Sequence, residues 1–373
     1  MVDRDISFAV IGGGNGGKGI AAYLANMGHK VNLYNRTFDK IRKIKELGFI
    51  EIEGTISGRG YMDRVTDKIE EAINDVDIIM IATTANAHKY IAREIAPYVT
   101  DKQYIVLNPG RTGGALEMLK IIKSINSFRC PCIVEAQTLL FACRAIGEDK
   151  INILKKKNHV KVAAMPAIRT KEFINKIHHI IPEFVDGGSV LDTSFNNIGA
   201  ILHPIPTILN CGRIEDTKGD FLHYIEGITP SVGKIIGEAD NERIRIAEML
   251  GVRPMPLIEW LGYTYDAYGT TVCDALHMVT AYMGIKAPGT LDTRYISEDV
   301  PQSLVPIADM GQYLGVETPV INSIIHLSSI IHSVDYARTG RKISDMGLDG
   351  LTLDGIRSFV SYGEIFESEG EVV

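Results

Sequence analysis

At 373 residues the chain is longer than one ordinary domain and suits two, and 45% hydrophobic against 23% charged residues is the balance of a globular protein that buries sizeable cores. The formal net charge of −7, with no basic run longer than Lys155-Lys156-Lys157, excludes the electrostatic footprint of a nucleic-acid binder. No apolar stretch is long enough to span a bilayer, the opening reads as a strand and not a signal peptide, and five cysteines with one close C-x-C pair support neither a disulfide framework nor a zinc site; a cytoplasmic protein without a metal centre is expected.

In chain order, ISFAVIG (6–12) reads as a buried strand, GGKGIAAYLANMG as a helix ending at Gly28, and KVNLYN (30–35) as a second strand, which makes one βαβ unit. A helix over about 37–47 follows, then GFIEIEG and GRGYM as strands or a small hairpin and a helix near 69–74. Next come strand 76–83, helix 86–96, strand 103–110, helix 112–124, and the strands PCIVEA and HVKVAAM (159–165). This alternation predicts an α/β Rossmann domain, a parallel sheet with helices on both faces. After EFVDGGSVLDTSF (183–195) the strands stop, and helix-period stretches at 231–250, 268–283, 303–314 and 317–332 predict an all-α C-terminal domain. The Gly187-Gly188 turn marks the expected boundary, giving domains 1–188 and 189–373, with the acidic tail EIFESEGEVV expected to fray.

VIGGGNGGKG places Gly12, Gly14 and Gly17 in a G-x-G-x-x-G spacing between a strand and a helix. The first glycine makes the tight turn, the second admits a pyrophosphate, and the third lets helix and strand pack; Asn15 lies in the same loop. The alternative is a glycine turn that only packs a helix. An NAD site carries Asp or Glu at the end of the second strand, whereas LYNRT offers Asn35, Arg36 and Thr37 and no carboxylate. A guanidinium pairs with a 2′-phosphate that a carboxylate would repel, so NADP(H) is expected over NAD(H). The loops ATTANAH and NPGRTGGA follow later strands, and Asn86 and Asn108 are candidate contacts to ribose or nicotinamide.

Beyond the boundary, GAILHPIPTILN is apolar almost throughout yet holds His203. Reduction of a carbonyl or imine needs a proton donor, and an imidazole serves at neutral pH. It also needs an orienting carboxylate. LDTRYISEDVPQSLVP supplies Arg294, Glu298 and Asp299 in one polar segment. Structural alternatives stand beside these roles: His203 as a core histidine, Asp299 as a helix N-cap before Pro301, and Arg294 as a surface ion-pair partner.

Together VIGGGNGG, NPGRTGGALE, EAQTLLFACR, NNIGAILHPIPTILN and LDTRYISEDVP, in that order over most of the chain, resemble the opine dehydrogenase family. The resemblance implies a Rossmann domain joined to a helical domain like that of 6-phosphogluconate dehydrogenase. The implied reaction is NAD(P)H-dependent condensation of a 2-oxo acid with an amino acid to a secondary-amine dicarboxylate. It implies His203 and Asp299 as the catalytic pair and Arg294 as the grip on the substrate carboxylate. Thr138 would contact the substrate, and Gln137 stands where arginine-using members carry an acid, which argues against arginine as amine donor here. The partners implied are small molecules, and a homodimer is expected. Two other readings remain: a 2-oxo acid reductase of the ketopantoate reductase type, for which no lysine stands in matching context, and a non-catalytic NADP(H) sensor.

Overall fold

The computed structural model describes residues 6–366, so the acidic tail expected to fray lies largely outside the described residues. In sequence order the strands are β1 (Phe8–Ile11), β2 (Val31–Tyr34), β3 (Phe49–Gly54), β4 (Gly58–Tyr61), β5 (Arg64–Thr66) and β6 (Ile78–Ile81). They continue as β7 (Tyr104–Leu107), β8 (Cys132–Ala136), β9 (Phe141–Ala145), β10 (Lys150–Lys156), β11 (Val160–Met165) and β12 (Phe184–Asp186). Eight of them form one sheet in the order β12-β11-β8-β7-β6-β1-β2-β5, parallel except where β11 runs against β8. β1 lies between β2 and β6, in the register Ile11 to Tyr34 and Ile11 to Ile81. Strand order therefore reverses at Gly12, the place where open α/β sheets bind ligands.

The expected Rossmann sheet is present, and a second sheet accompanies it. β4-β3-β10-β9 forms a four-stranded layer, with β3 and β10 parallel and β9 antiparallel to β10. The helix Asn15–Asn26, α1, packs against strands of both sheets, which is why Gly17 through Leu24 are all buried. Gly60 permits the closeness, since a Cβ there would stand 2.4 Å from the Ala22 carbonyl oxygen. β10 carries a strand signal in the alternation Ile151, Ile153, both fully buried, but three lysines at its end disguise it as a solvated loop.

The chain divides into two compact units, one running to Thr193 and resuming at Asp354, the other spanning Ser194–Leu353. The expected boundary at 188 is therefore too early, because the Thr193 hydroxyl donates to Glu135 on β8 (2.9 Å) and ties the start of helix Val190–Phe195 to the sheet unit. The described residues 354–366 also fall outside the expected 189–373 domain: Gly363, just beyond the helix Leu353–Tyr362, lies against the Pro166 ring of the sheet unit.

The Ser194–Leu353 unit is helical, as expected. Its longest helix, Pro230–Met249, starts with Pro at its first position and the Thr229 hydroxyl accepting from the Val232 N–H. That helix buries Arg243, whose guanidinium bonds Asp240 and the Phe195 and Met255 carbonyl oxygens, so the charge is paired and its donors are used. Glu242 receives the Val320 and Ile321 N–H groups (2.8 and 2.9 Å) and so caps helix Pro319–His332 from outside. The stretch expected as one helix over 268–283 is shorter, Val272–Met278, and Leu257–Tyr265 forms a helix the periodicity missed. Tyr265 packs from that helix against Trp260 and Tyr282, while Tyr263 and Tyr268 remain exposed.

Candidate active site

The glycine loop has the shape a dinucleotide needs. Gly12 has φ +124°, and a Cβ there would stand 2.8 Å from the Ala82 carbonyl oxygen. At Gly17 a Cβ would lie 1.7 Å from the Gly12 carbonyl oxygen, so any side chain there forces helix and strand apart. At Gly14 an added Cβ would meet nothing within 4 Å. Gly14 caps α1 without any side-chain bond to the first turn, which leaves helix N–H groups for an anion. Asn15 turns away from that space: its Oδ1 accepts the Ala145 N–H of β9 (2.9 Å), so what it offers a phosphate is its backbone.

Asn35 also has a structural duty. Its Oδ1 accepts the Gly13 N–H (2.9 Å) and its amide donates to the Thr37 carbonyl (2.7 Å), locking the glycine loop to the turn after β2. Arg36 and Thr37 are exposed beside it. The Arg36 guanidinium lies 5.3 Å from the centre of the Tyr90 ring, a cation held by an aromatic face. Beneath it, burial pushes the Tyr34 hydroxyl up to about 12, so it remains a neutral hydroxyl.

Asn86 is exposed in the turn Ala85–Ala87 after β6. Asn108 is buried: its amide nitrogen donates to the Val106 carbonyl (2.9 Å), while its Oδ1 has no hydrogen-bond partner among the described residues. Gly110 in the same loop accommodates Glu135, since a Cβ there would stand 2.1 Å from the Glu135 side chain. Glu135 is buried, accepts the Ala115 N–H (3.1 Å) as well as Thr193, and anchors the NPGRTGG loop; its place in EAQT gave no warning of this role. Gln137 and Thr138 follow β8 directly, both half-buried.

In the helical unit His203 stands at a break between the helical turn Gly199–Leu202 and the helix Pro204–Leu209. Pro204 supplies no N–H and its ring opposes the carbonyl four residues back, so the helix must restart at His203. The imidazole Nδ1 lies 3.0 Å from Asp299 Oδ2, with the carboxylate almost wholly buried and the ring 27% exposed. A carboxylate can only accept, so Nδ1 carries the proton in that bond, and Nε2, which bonds no described residue, is left for a substrate. Asp299 does precede the wide turn Val300–Leu304, but its side chain makes no cap bond there; the dyad, not the cap, is what the geometry forms.

Tyr295, unnoticed in the sequence, is four residues before Asp299 and stacks on the His203 ring, with centroids 4.6 Å apart and planes 15° apart. One short segment thus grips His203 by its face and by its edge. Behind Tyr295 lies His223, centroid distance 5.5 Å, fully buried with neither ring nitrogen hydrogen-bonded. Burial first, and the neighbouring His203 second, hold its pKa down to about 4, so it is neutral. Arg294 precedes Tyr295 and directs Nε and one terminal nitrogen to the same oxygen of buried Glu298 (2.7 and 2.6 Å). The other terminal nitrogen bonds no described residue, and the side chain is 61% exposed, so an ion pair orients a guanidinium that still has donors to give.

Both parts of the chain resemble known proteins. Residues 186–332 match the family model described as NAD/NADP octopine/nopaline dehydrogenase, alpha-helical domain, and residues 8–109 match ketopantoate reductase PanE/ApbA. An opine dehydrogenase of Arthrobacter sp. (strain 1C) is 38% identical over 95% of this chain and 98% of its own. Vitopine synthase of Allorhizobium ampelinum is 24% identical over 84% and 86%. Among solved structures, an octopine dehydrogenase in complex with NADH and agmatine superposes with a TM-score of 0.78 at 20% identity, covering 98% of this chain and all of that one. A yersinopine dehydrogenase with NADP+ bound superposes at 0.76 and 13% identity, over 97% and 99%.

Proposed function

The chain belongs to the opine dehydrogenase family, and from that premise we propose that it condenses a 2-oxo acid with an amino acid using NADPH, with His203, Asp299 and Arg294 as its chemical centre. It is an NAD(P)H-dependent oxidoreductase acting on a CH–NH bond. The observation that carries the residue assignment is the His203–Asp299 bond. With Nδ1 donating to a buried carboxylate, a protonated Nε2 donates to the oxygen or nitrogen of the reacting carbon and passes its proton there as the C=O or C=N bond is reduced. Asp299 stabilises the imidazolium and fixes its orientation; Tyr295 prevents the ring from turning. Arg294 holds the oxo acid through its carboxylate, so that the reacting carbon is presented in one orientation. The bound nicotinamide supplies the hydride.

Three features support the cofactor reading: the unobstructed space at Gly14, the free N-terminus of α1, and Arg36 in a turn without a carboxylate. A guanidinium held on Tyr90 is positioned to take a 2′-phosphate, which favours NADPH over NADH. Gln137, a neutral amide, cannot neutralise a guanidinium, so the amine donor is an amino acid other than arginine. A homodimer acting in the cytoplasm belongs to the same proposal, and light scattering on the purified protein tests the dimer.

The deciding experiment follows the absorbance of NADPH, and separately of NADH, with pyruvate, 2-oxoglutarate or oxaloacetate, each with and without mixed amino acids. Oxidation that requires both carbon substrates is the expected result. Oxidation at the same rate with the oxo acid alone would make the protein a simple oxo acid reductase and overturn the proposal.

A further inference from the structure

We infer that Lys157 and Thr138 form the subsite that binds the α-carboxylate of the amino-acid substrate, so that the enzyme selects amino acids over amines lacking that group. The inference rests on the opine reading above, in which Thr138 already contacts the substrate, and adds Lys157 as the cation that recognises the carboxylate of the second substrate.

Lys157 is a cation without an anion. It is half-buried, and its Nζ donates to the Thr138 Oγ at 2.6 Å; no carboxylate of the described residues lies within ion-pair distance of it. Its neighbours in the fold are compensated. Lys156 pairs with Glu183 (2.6 Å), Lys150 with Glu51 (2.9 Å) and Lys43 with Asp149 (2.8 Å), while buried Lys18 donates to the Gly147 and Glu148 carbonyls. A hydroxyl cannot offset the desolvation of an ammonium, and burial alone pulls Lys157 down to about 8. Such a group is more stable with a carboxylate against it.

The hydroxyl of Thr138 completes the donor set. It accepts from Lys157, so its own proton remains to be given, and an ammonium N–H beside an O–H is a pair of donors matched to the two oxygens of a carboxylate. The pair is held in place, since the Lys157 N–H donates to the Leu140 carbonyl (3.0 Å) and pins the end of β10 to the segment after β8.

The location points to a ligand and not to a surface ion pair. β1, β6, β7 and β8 run in register from Ile11 to Ile81, Leu107 and Glu135, so Thr138 follows β8 at the carboxyl edge of the sheet, where the glycine loop also lies. Leu139, next in the chain, lies against Gly16 of that loop. A cofactor phosphate and a substrate carboxylate are both anions, but the phosphates already have the N-terminus of α1 and the open face of Gly14. The separate cation is left for the substrate.

The test uses the full-length enzyme with NADPH and its best oxo acid, comparing the best amino acid from a screen of the twenty with the amine formed by its decarboxylation. The wild type is expected to prefer the amino acid by about 100-fold in kcat/KM, and Lys157→Met to raise the amino-acid KM about 30-fold and remove most of that preference. Its KM for the oxo acid and its Kd for NADPH are expected to stay within about twofold, and Lys157→Arg to recover part of the loss. Thr138→Val, which removes only the hydroxyl, is expected to raise the amino-acid KM about fivefold and serves if the methionine variant does not fold. An unchanged amino-acid KM in these variants overturns the inference while leaving the opine reading intact. A parallel loss of NADPH affinity also overturns it and assigns the lysine to cofactor phosphates. A wild type that needs no amino acid at all overturns the opine reading itself.

Discussion

Replacing Asp299 by Asn separates the charge of the dyad from its shape. The carboxylate is buried and bonds the imidazole at 3.0 Å, and the charges of an imidazolium and a carboxylate in that pose are centred about 4 Å apart. At an effective dielectric of about 20 their attraction is about 4 kcal/mol, and the partial exposure of the ring reduces it toward about 2 kcal/mol. Asn fills the same space but gives up this attraction, and its amide can present N–H to Nδ1 and favour the wrong tautomer. The expected result is a fall in kcat of about 30-fold to about 1000-fold, measured as NADPH oxidation at saturating oxo acid and amino acid. The NADPH Kd, followed by fluorescence, should not move, because the glycine loop, Arg36 and α1 belong to the other unit. A variant within about threefold of wild-type kcat would show that Asp299 does not support the proton donor, and the dyad would have to be abandoned.

Three further outcomes are expected. Tyr295→Leu should lower kcat about tenfold, while Tyr295→Phe, which preserves the ring stacked 4.6 Å from His203, should stay within about threefold; equal losses in both would assign the effect to the hydroxyl instead. Arg36→Glu should raise the KM for NADPH about 100-fold and improve use of NADH, and steady-state kinetics with both cofactors would refute the assignment if the two KM values moved together. His223 bears on stability: its pKa is held near 4 in the folded state against an ordinary 6.5, so the unfolded chain binds a proton first as pH falls. Its stability contribution is complete above about 6.5 and is lost between 6.5 and 4, by about 2 to 3 kcal/mol at the acid end. His223→Phe should therefore flatten the decline in urea-unfolding free energy between pH 7 and 4.5; an unchanged decline would place that titration elsewhere.

The parts of the site legible in the sequence are those whose chemistry is local in the chain. Gly12, Gly14 and Gly17 fall close together in the chain and the absent acid lies at the end of the next strand, so the candidate cofactor site is legible from spacing alone. Position alone suggests Asn15, Asn35 and Asn108 for the same site; in the structure each side chain bonds the backbone, because an amide near a tight turn has backbone groups to satisfy, and only the Oδ1 of Asn108 keeps no partner among the described residues. The second sheet was missed for a related reason. β10 runs seven residues, but only one of its faces is apolar, so its lysines outweigh the alternation of Ile151 and Ile153.

The dyad was legible for a different reason, since nothing local connects His203 to a carboxylate 96 positions later. His203 stood out because it interrupts an apolar run, and Asp299 because the resemblance supplied the pairing. Tyr295 had no such signal: a tyrosine between Arg294 and Ile296 is unremarkable until the helical turn carries it, four residues before Asp299, onto the imidazole face. Lys157 was hidden by its own neighbours. In a run of three lysines each reads as solvated charge, and only the fold shows that Lys156 has Glu183 while Lys157 has a hydroxyl. The candidate cofactor site can therefore be read from a backbone motif, whereas the proposed substrate subsite rests on a charge the fold leaves uncompensated, and that is a property of tertiary pairing that spacing does not encode.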